Sequence, residues 1–315
     1  MTKHKSVEHL LQKLIQQPYL KGADDLPLVE WYRKMRVDTE GLETQGLSAL
    51  QGGFYANSAG QAFVFGYEVA IQRLTGLDTQ EYLAAFCVTE NKSAHPQAMQ
   101  TSLTKKRDGQ WMLTGKKDFV TMACNAKWLL VAAKSGLSGD GRNQIKLVKV
   151  DVSASGVDVL THPPLPFIPD VSHGAVTFDS VLVEGKDIYP GDGYANFVKP
   201  FRWFEDINVF ISLTGYLLKL ALTNQWPVSS KVEIMSILVT LVGLQQMDAD
   251  EPMAHILMFD QAAKLACWLD NYDDEWEGVS SPVAAAWKRD RGIMSVANYA
   301  RSARYKKALS RMALA

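Results

Sequence analysis

The chain reads as an α+β protein built from helices, then strands, then helices. Three observations predict this. Apolar residues recur at helical spacing before residue 79 and again after residue 193. Between those stretches lie short apolar runs of strand length with no helical pattern. In that middle stretch Asp108-Gly109 sits between two strand-like segments, a two-residue hairpin signal because both residue types tolerate positive φ. A chain of 315 residues accommodates two or three domains. The texture changes put their boundaries at 1–79, 80–190 and 191–315.

In the first stretch, Leu10, Leu11, Leu14 and Ile15 form one stripe, and Leu28, Trp31 and Tyr32 share a second helical face. Phe63 to Leu74 continues at the same spacing, and Gly52-Gly53 is either a breaker or a tight helix contact. The middle stretch offers strands at Ala85–Val88, Thr101–Lys105, Gln110–Thr114, Trp128–Ala133, Ile145–Val152 and Ala175–Val183, with a Pro-rich turn at Pro163–Pro169. Strands without intervening helices predict an antiparallel barrel or sandwich. The final stretch offers helices at Phe201–Asn224, Lys231–Gln246, Pro252–Tyr272 and Pro282–Ala313, whose short connections predict an antiparallel bundle.

Bulk properties exclude several functions. A formal net charge of −1 supplies no electrostatic drive toward nucleic acid or an anionic membrane. The N-terminal segment reads as an amphipathic helix rather than a signal peptide. The apolar runs Ile207–Leu218 and Ile234–Leu244 are shorter than the about 20 residues a membrane span needs, so both are expected to be buried. Cys87, Cys124 and Cys267 are odd in number and form no CxxC, which fits a reducing cytoplasm. The six histidines lack metal-ligand spacing, so no metal site is expected.

The segment from Ala84 to Ala133 carries the chemistry. It holds Thr89-Glu90 at the end of an apolar run, a polar loop, a charged hairpin, then Lys117-Asp118-Phe119-Val120-Thr121 and a buried strand. This order resembles the middle β-domain of the acyl-CoA dehydrogenase family, as does the exit Phe178-Asp179-Ser180-Val181-Leu182-Val183 followed by Gly191-Asp192-Gly193. The resemblance is specific over 84–194 and looser to residue 313. It implies an acyl-CoA dehydrogenase-like fold and FAD held through Thr89, Glu90, Phe119 and Thr121. Phe119 stands where the family usually has Trp, against the ring. Thr121 stands at the hydroxyl position near N5. The family's pyrophosphate loop reads Ser93-Ala94-His95-Pro96 here, so Ser93 or His95 is the phosphate candidate, and Pro96 has no N–H to give.

The resemblance also implies a catalytic carboxylate. Counting from Arg289-Asp290, the family's usual glutamate position falls on Asn298, an amide that cannot act as a carboxylate base. Trp276-Glu277-Gly278 mimics the motif but precedes Arg289-Asp290. A minority of the family places the base ten residues before a packing glycine on the first C-terminal helix. Glu205 occupies that position relative to Gly215, with Asp206 where those members have Arg. Apolar neighbours Ile207, Val209, Phe210 and Ile211 favour a raised pKa and a base role. A helix-N-terminal acid favoured by the macrodipole explains Glu205 equally well. The basic run from Lys288 to Arg311 suits CoA phosphates or a solvated face.

The resemblance therefore implies an FAD-dependent oxidation of the Cα–Cβ bond of acyl-CoA or another acyl thioester, with Glu205 as base. An electron-transfer flavoprotein or oxygen would take the electrons, and a homodimer or homotetramer would form. Asn298 and the altered phosphate loop motivate an alternative, a binding or assembly subunit without chemistry. Flavin-dependent oxygenation is a third reading on the same fold.

Overall fold

A computed structural model describes residues 6–18, 26–38, 45–79, 81–107 and 109–314. Its contacts divide the chain into two units. One comprises Met1–Arg73, Pro166–Ile168 and Trp203–Ala315, and the other Leu74–Leu165 and Pro169–Arg202. The terminal helical stretches thus share one unit, and the strands form the other.

The helical unit opens with α1 (Val7–Gln16), whose first turn is capped by Ser6 accepting from the His9 amide at 3.1 Å. Leu10, Leu11 and Leu14 are buried as the stripe predicts, while Ile15 faces out. Next come α2 (Leu28–Asp38), α3 (Gln45–Phe54) and α4 (Ala59–Thr75). Gly52 and Gly53 do not break α3; they are a tight helix contact. A Cβ on Gly53 would overlap the backbone of Ser212, and one on Gly66 would lie 2.6 Å from the carbonyl oxygen of Asn208. Gly215 likewise approaches the Leu50 carbonyl. Glycine lets α3 and α4 press their backbones against α5 (Lys199–Thr223).

A π-helical turn at Tyr194–Val198 leads into α5, and its start is capped by Asp192, which accepts from the amides of Tyr194 and Ala195. The span 194–223 is long and apolar enough to cross a membrane by composition, yet 83% of its apolar window is buried inside the protein. Then follow α6 (Val228–Leu244), α7 (Pro252–Asn271), α8 (Ser281–Asp290) and α9 (Asn298–Arg311). The single helix expected at Pro282–Ala313 is two helices separated by a 3-10 turn at Arg291–Ser295. Gly292 in a helix interior costs about 1 kcal/mol. The buried carboxylate of Asp290 accepts from the amide of Ile168 at 2.7 Å, which fixes where α8 ends.

The other unit is a seven-stranded sheet: β1 (Ala84–Cys87), β2 (Ser102–Lys105), β3 (Trp111–Thr121), β4 (Trp128–Leu137), β5 (Asn143–Asp151), β6 (Val157–Thr161) and β7 (His173–Val183). The β2–β3, β3–β7, β6–β7 and β4–β5 pairs are antiparallel, but β1 and β2 both pair parallel with β4. The sheet is therefore mixed rather than wholly antiparallel. The β2–β3 hairpin forms as expected, with Gly109 at φ +87°, while Asp108 lies outside the described residues. β6 escaped the sequence pattern because it is short and largely exposed. Alternate positions such as Leu103, Leu113, Leu129, Val131, Val148, Val176 and Phe178 fill the core of this unit.

Gly66→Ala should cost about 1–3 kcal/mol through overlap with the α5 backbone. Urea unfolding would show this as a lower midpoint, and an unchanged midpoint would mean that α4 and α5 have slack.

Candidate functional site

The two segments that carry the family resemblance meet where β1 runs out. Thr89 forms an isolated antiparallel bridge with Phe119, and the Asp118 amide donates to the Thr89 carbonyl at 3.0 Å. Beneath the bridge lies a buried ion pair. Lys117 Nζ donates to Glu90 Oε1 at 2.6 Å and to the Val88 carbonyl at 3.2 Å, with side-chain exposures of 0% and 4% for Lys117 and Glu90. Glu90 also accepts from the amides of Gln100 and Thr101 at 2.6 and 3.2 Å. Burial pushes the Glu90 carboxyl up. The charge of Lys117 and the hydrogen bonds from Lys117, Gln100 and Thr101 together outweigh that and hold it below its ordinary value. Burial also pushes the neighbouring Cys87 thiol up to about 12, against the pull of Lys117, so it is inert as a nucleophile.

Phe119 owes its position to a break in strand alternation. In a regular strand Lys117 and Phe119 would share a face. The β3–β7 register shifts between Lys117 and Val120. With that bulge Lys117 and Val120 both turn inward, and Phe119 turns out, 42% exposed. Its ring stacks on His173 at 4.9 Å and 30°, with His162 at 6.2 Å. His173 is buried, and its Nδ1–H donates to the Val171 carbonyl at 3.0 Å. Burial lowers its pKa, so a neutral imidazole backs the phenyl ring at neutral pH. Thr121 lies opposite His173 in the sheet. Thr89 and Thr121 are half-buried, and neither hydroxyl has a hydrogen-bond partner among the described residues.

The loop after Glu90 is closed by its own backbone. Asn91 and Lys92 take positive φ (47° and 62°), and Glu90 and Ser93 exchange amide-to-carbonyl bonds at 2.8 and 2.9 Å. The Asn91 amide donates to Asp118 at 2.7 Å, clamping the loop to β3, and this bond with the nearby Lys116 holds the Asp118 carboxyl below its ordinary value. Both the amide and the carboxylate of Glu90 are therefore engaged within the protein. Ser93 Oγ accepts from the His95 amide, which leaves its hydroxyl proton to give. His95 Nδ1 accepts from Gln97 and caps the 3-10 turn at Pro96–Ala98.

Glu205 belongs to the helical unit, half-buried on α5. The helical run begins at Tyr194, so Glu205 lies well past the first turn, where the macrodipole has faded. Its neighbour Asp206 is buried and accepts from Arg301 Nη2 at 2.6 Å and Nε at 3.1 Å, and from Arg304 at 2.8 Å. Asn298 Oδ1 accepts from Arg301 at 2.6 Å. Part of the basic run in the last helices thus serves internal ion pairing. Glu277 lies on a separate 3-10 turn. No metal-ligand cluster occurs among the described residues.

Sequence reasoning placed Thr89, Glu90, Ser93, Phe119 and Thr121, which the fold brings into one unit. It missed His173 under Phe119 and the partners of Lys117 and Asp206. Lys117 stands between Lys116 and Asp118, so nothing local marks it for burial, and nothing local marks His173.

Glu90→Gln should destabilise by about 3–5 kcal/mol, because it strands a buried lysine, and Glu90→Gln with Lys117→Met should recover much of that loss. Chemical denaturation of both variants checks it; equal loss in the double variant would show that the pair matters only through shape. Acid should act in two steps. His173 and Glu90 both have folded pKa values below their ordinary 6.5 and 4.5, so the unfolded chain binds protons first. Stability should fall as pH drops below about 6.5 and again below about 4.5. His173→Phe should shrink the first step in a pH series of melting temperatures, leaving the share of His255, whose burial also lowers its pKa; an unchanged first step would assign it wholly to other groups.

Residues 85–181 match the acyl-CoA dehydrogenase middle-domain model. Apo-form PigA shares 13% identity over 100% of this chain and 99% of its own, with a TM-score of 0.69. PigA is also known as an FAD complex. Butyryl-CoA dehydrogenase from Megasphaera elsdenii shares 15% identity over 95% and 94% of the two chains, with a TM-score of 0.60. Glutaryl-CoA dehydrogenase from Mycobacterium smegmatis shares 13% over 98% and 95%, with a TM-score of 0.61. No curated protein sequence matches the chain. Residues 85–181 thus carry an acyl-CoA dehydrogenase middle domain, and the chain as a whole has the acyl-CoA dehydrogenase fold.

Proposed function

We propose that this chain is a flavoprotein that holds FAD on its β-unit and oxidises the Cα–Cβ bond of an acyl thioester such as an acyl-CoA. The observation that carries the proposal is Phe119. A bulge forces an aromatic ring out of the sheet, His173 backs it, and Thr89 and Thr121 flank it with hydroxyls that have no partner among the described residues. A flat apolar face with two hydroxyl donors suits an isoalloxazine ring. Phe119 would lie against that ring, Thr121 would donate near its N5, and Thr89 would serve the pyrimidine end. Ser93 would donate a hydrogen bond from its hydroxyl to the pyrophosphate. Glu90 makes no direct contact in this scheme; its pairing with Lys117 positions Thr89 and the loop. When bound, FAD supplies the two-electron acceptor for the hydride leaving Cβ.

Glu205 would take the α-proton. Ile207, Val209, Phe210 and Ile211, all buried, follow it along α5, a setting that suits a carboxylate base. An electron-transfer flavoprotein or oxygen would accept the electrons, and a homodimer or homotetramer in the cytoplasm is part of the same proposal. A second reading, a binding or assembly subunit, is favoured by Asn298, whose amide pairs with Arg301 where the family's usual base would stand.

Titration of the purified protein with FAD separates the two. Saturable binding with a perturbed visible band supports the flavoprotein, and Phe119→Ala should weaken it about tenfold, the scale of a lost aromatic stack. No binding would leave the subunit reading. Glu205→Gln should lower acyl-thioester turnover by about 100-fold or more without changing the flavin band. Turnover that survives the change would place the base elsewhere.

A further inference from the structure

The helical unit contains a cavity of ≈ 510 Å³ that no step above uses. That volume is in the range of small-molecule sites. Its walls come from three helices and are mostly apolar: Phe210 from α5, Phe259 and Ala266 from α7, and Met294 from the turn before α9. Asn298 and Arg301 of α9 also line it. Arg291 and Asp270 stand at its edge, 3.6 Å apart as an ion pair.

Arg301 gives the cavity its chemical character. It is 3% exposed, and its guanidinium rests over the Phe210 ring with Cζ 4.5 Å from the centroid. Asp206 accepts from two of its nitrogens and Asn298 from the third. Three of the five N–H groups are thus used, which fixes the plane and leaves two to give. Asn298 Oδ1 is engaged by Arg301, and its NH₂ group adds donors. Beside Arg301 the cavity thus offers guanidinium and amide donors together with the hydroxyls of Ser295 and Ser302, and the rest of its wall is mainly apolar.

We infer that this cavity binds a small carboxylate with an apolar tail, its head on Arg301 and Asn298 and its tail between α7 and α9. A carboxylate fits because it is planar, accepts only, and pairs with a guanidinium edge. The site lies wholly in the helical unit and is independent of the flavin proposal.

Calorimetric titration of the full chain with octanoate tests it, with octylamine as the probe of equal length and opposite charge. Octanoate should bind saturably at one site, and octylamine at least tenfold more weakly. Ala266→Phe should fill the cavity without touching Arg301 and reduce octanoate affinity at least tenfold, with FAD titration and melting temperature unchanged. Ala263→Trp, at another exposed wall position, is the second filling variant should Ala266→Phe misfold. Asn298→Leu should weaken octanoate several-fold. Absence of octanoate binding at millimolar concentration, equal binding of octylamine, or undiminished binding in the filling variants would overturn the inference. The last result would place the octanoate site elsewhere and leave the flavin proposal untouched.

Discussion

Everything distinctive in the β-unit depends on burying Lys117 beside Glu90. Taking two charges out of water is costly, and an ion pair of this kind earns little net stability over apolar residues. Its effect is positional. Lys117 turns inward to reach Glu90, so the strand slips by one residue before Val120 turns in. That slip leaves Phe119 outside, with Thr89 bridged opposite it. The carboxylate of Glu90 also gathers the amides of Gln100 and Thr101, tying the start of β2 to the same point. One buried pair thus fixes a strand end, a loop, a bulge and an exposed aromatic ring.

α5 plays the corresponding part in the helical unit, by two different means. On one side glycines remove side chains, so that α3 and α4 approach it backbone to backbone. Gln245 bonds Asn208 there at 2.5 Å, satisfying a buried amide. On another side Asp206 draws in Arg301 and Arg304, so α9 is held by charge-assisted hydrogen bonds. Close packing gives that helix its place, and directional bonds give it its rotation.

What the sequence made legible was local. Most strand positions and the hairpin at Gly109 follow from alternation and turn chemistry, while Gly52-Gly53 was legible only as a breaker or a tight contact until the packing of Gly53 on Ser212 decided it. The parallel pairing of β1 and β2 with β4 could not be read, because parallel partners are far apart in sequence and share no turn. The break of the last helix was visible only as Gly292, a weak signal that the buried carboxylate of Asp290 makes decisive. Thr89, Phe119 and Thr121 were identified by family likeness. Why Phe119 faces outward was not legible, since period-two alternation would have put it on the face of Lys117, and only the register shift against β7 reverses that. His173 lies more than fifty residues from Phe119, so their stacking is a product of the β3–β7 pairing alone.

The amide at position 298 is informative because of what surrounds it. Asn298 shares a guanidinium with Asp206 at 2.6 Å. A glutamate there would sit beside a fixed cation, which favours the ionised form and lowers the carboxyl pKa. Such a group makes a weak base, because proton abstraction needs a pKa near the operating pH. An asparagine accepts the same hydrogen bond without adding a second negative charge to a site that already holds Asp206. The amide at this position is thus compatible with the Asp206–Arg301 pairing and does not by itself imply absence of chemistry. If the chain abstracts a proton, the physical argument moves the base to α5. There Glu205 precedes a run of buried apolar residues, and the adjacent carboxylate, Asp206, is already matched by two arginines.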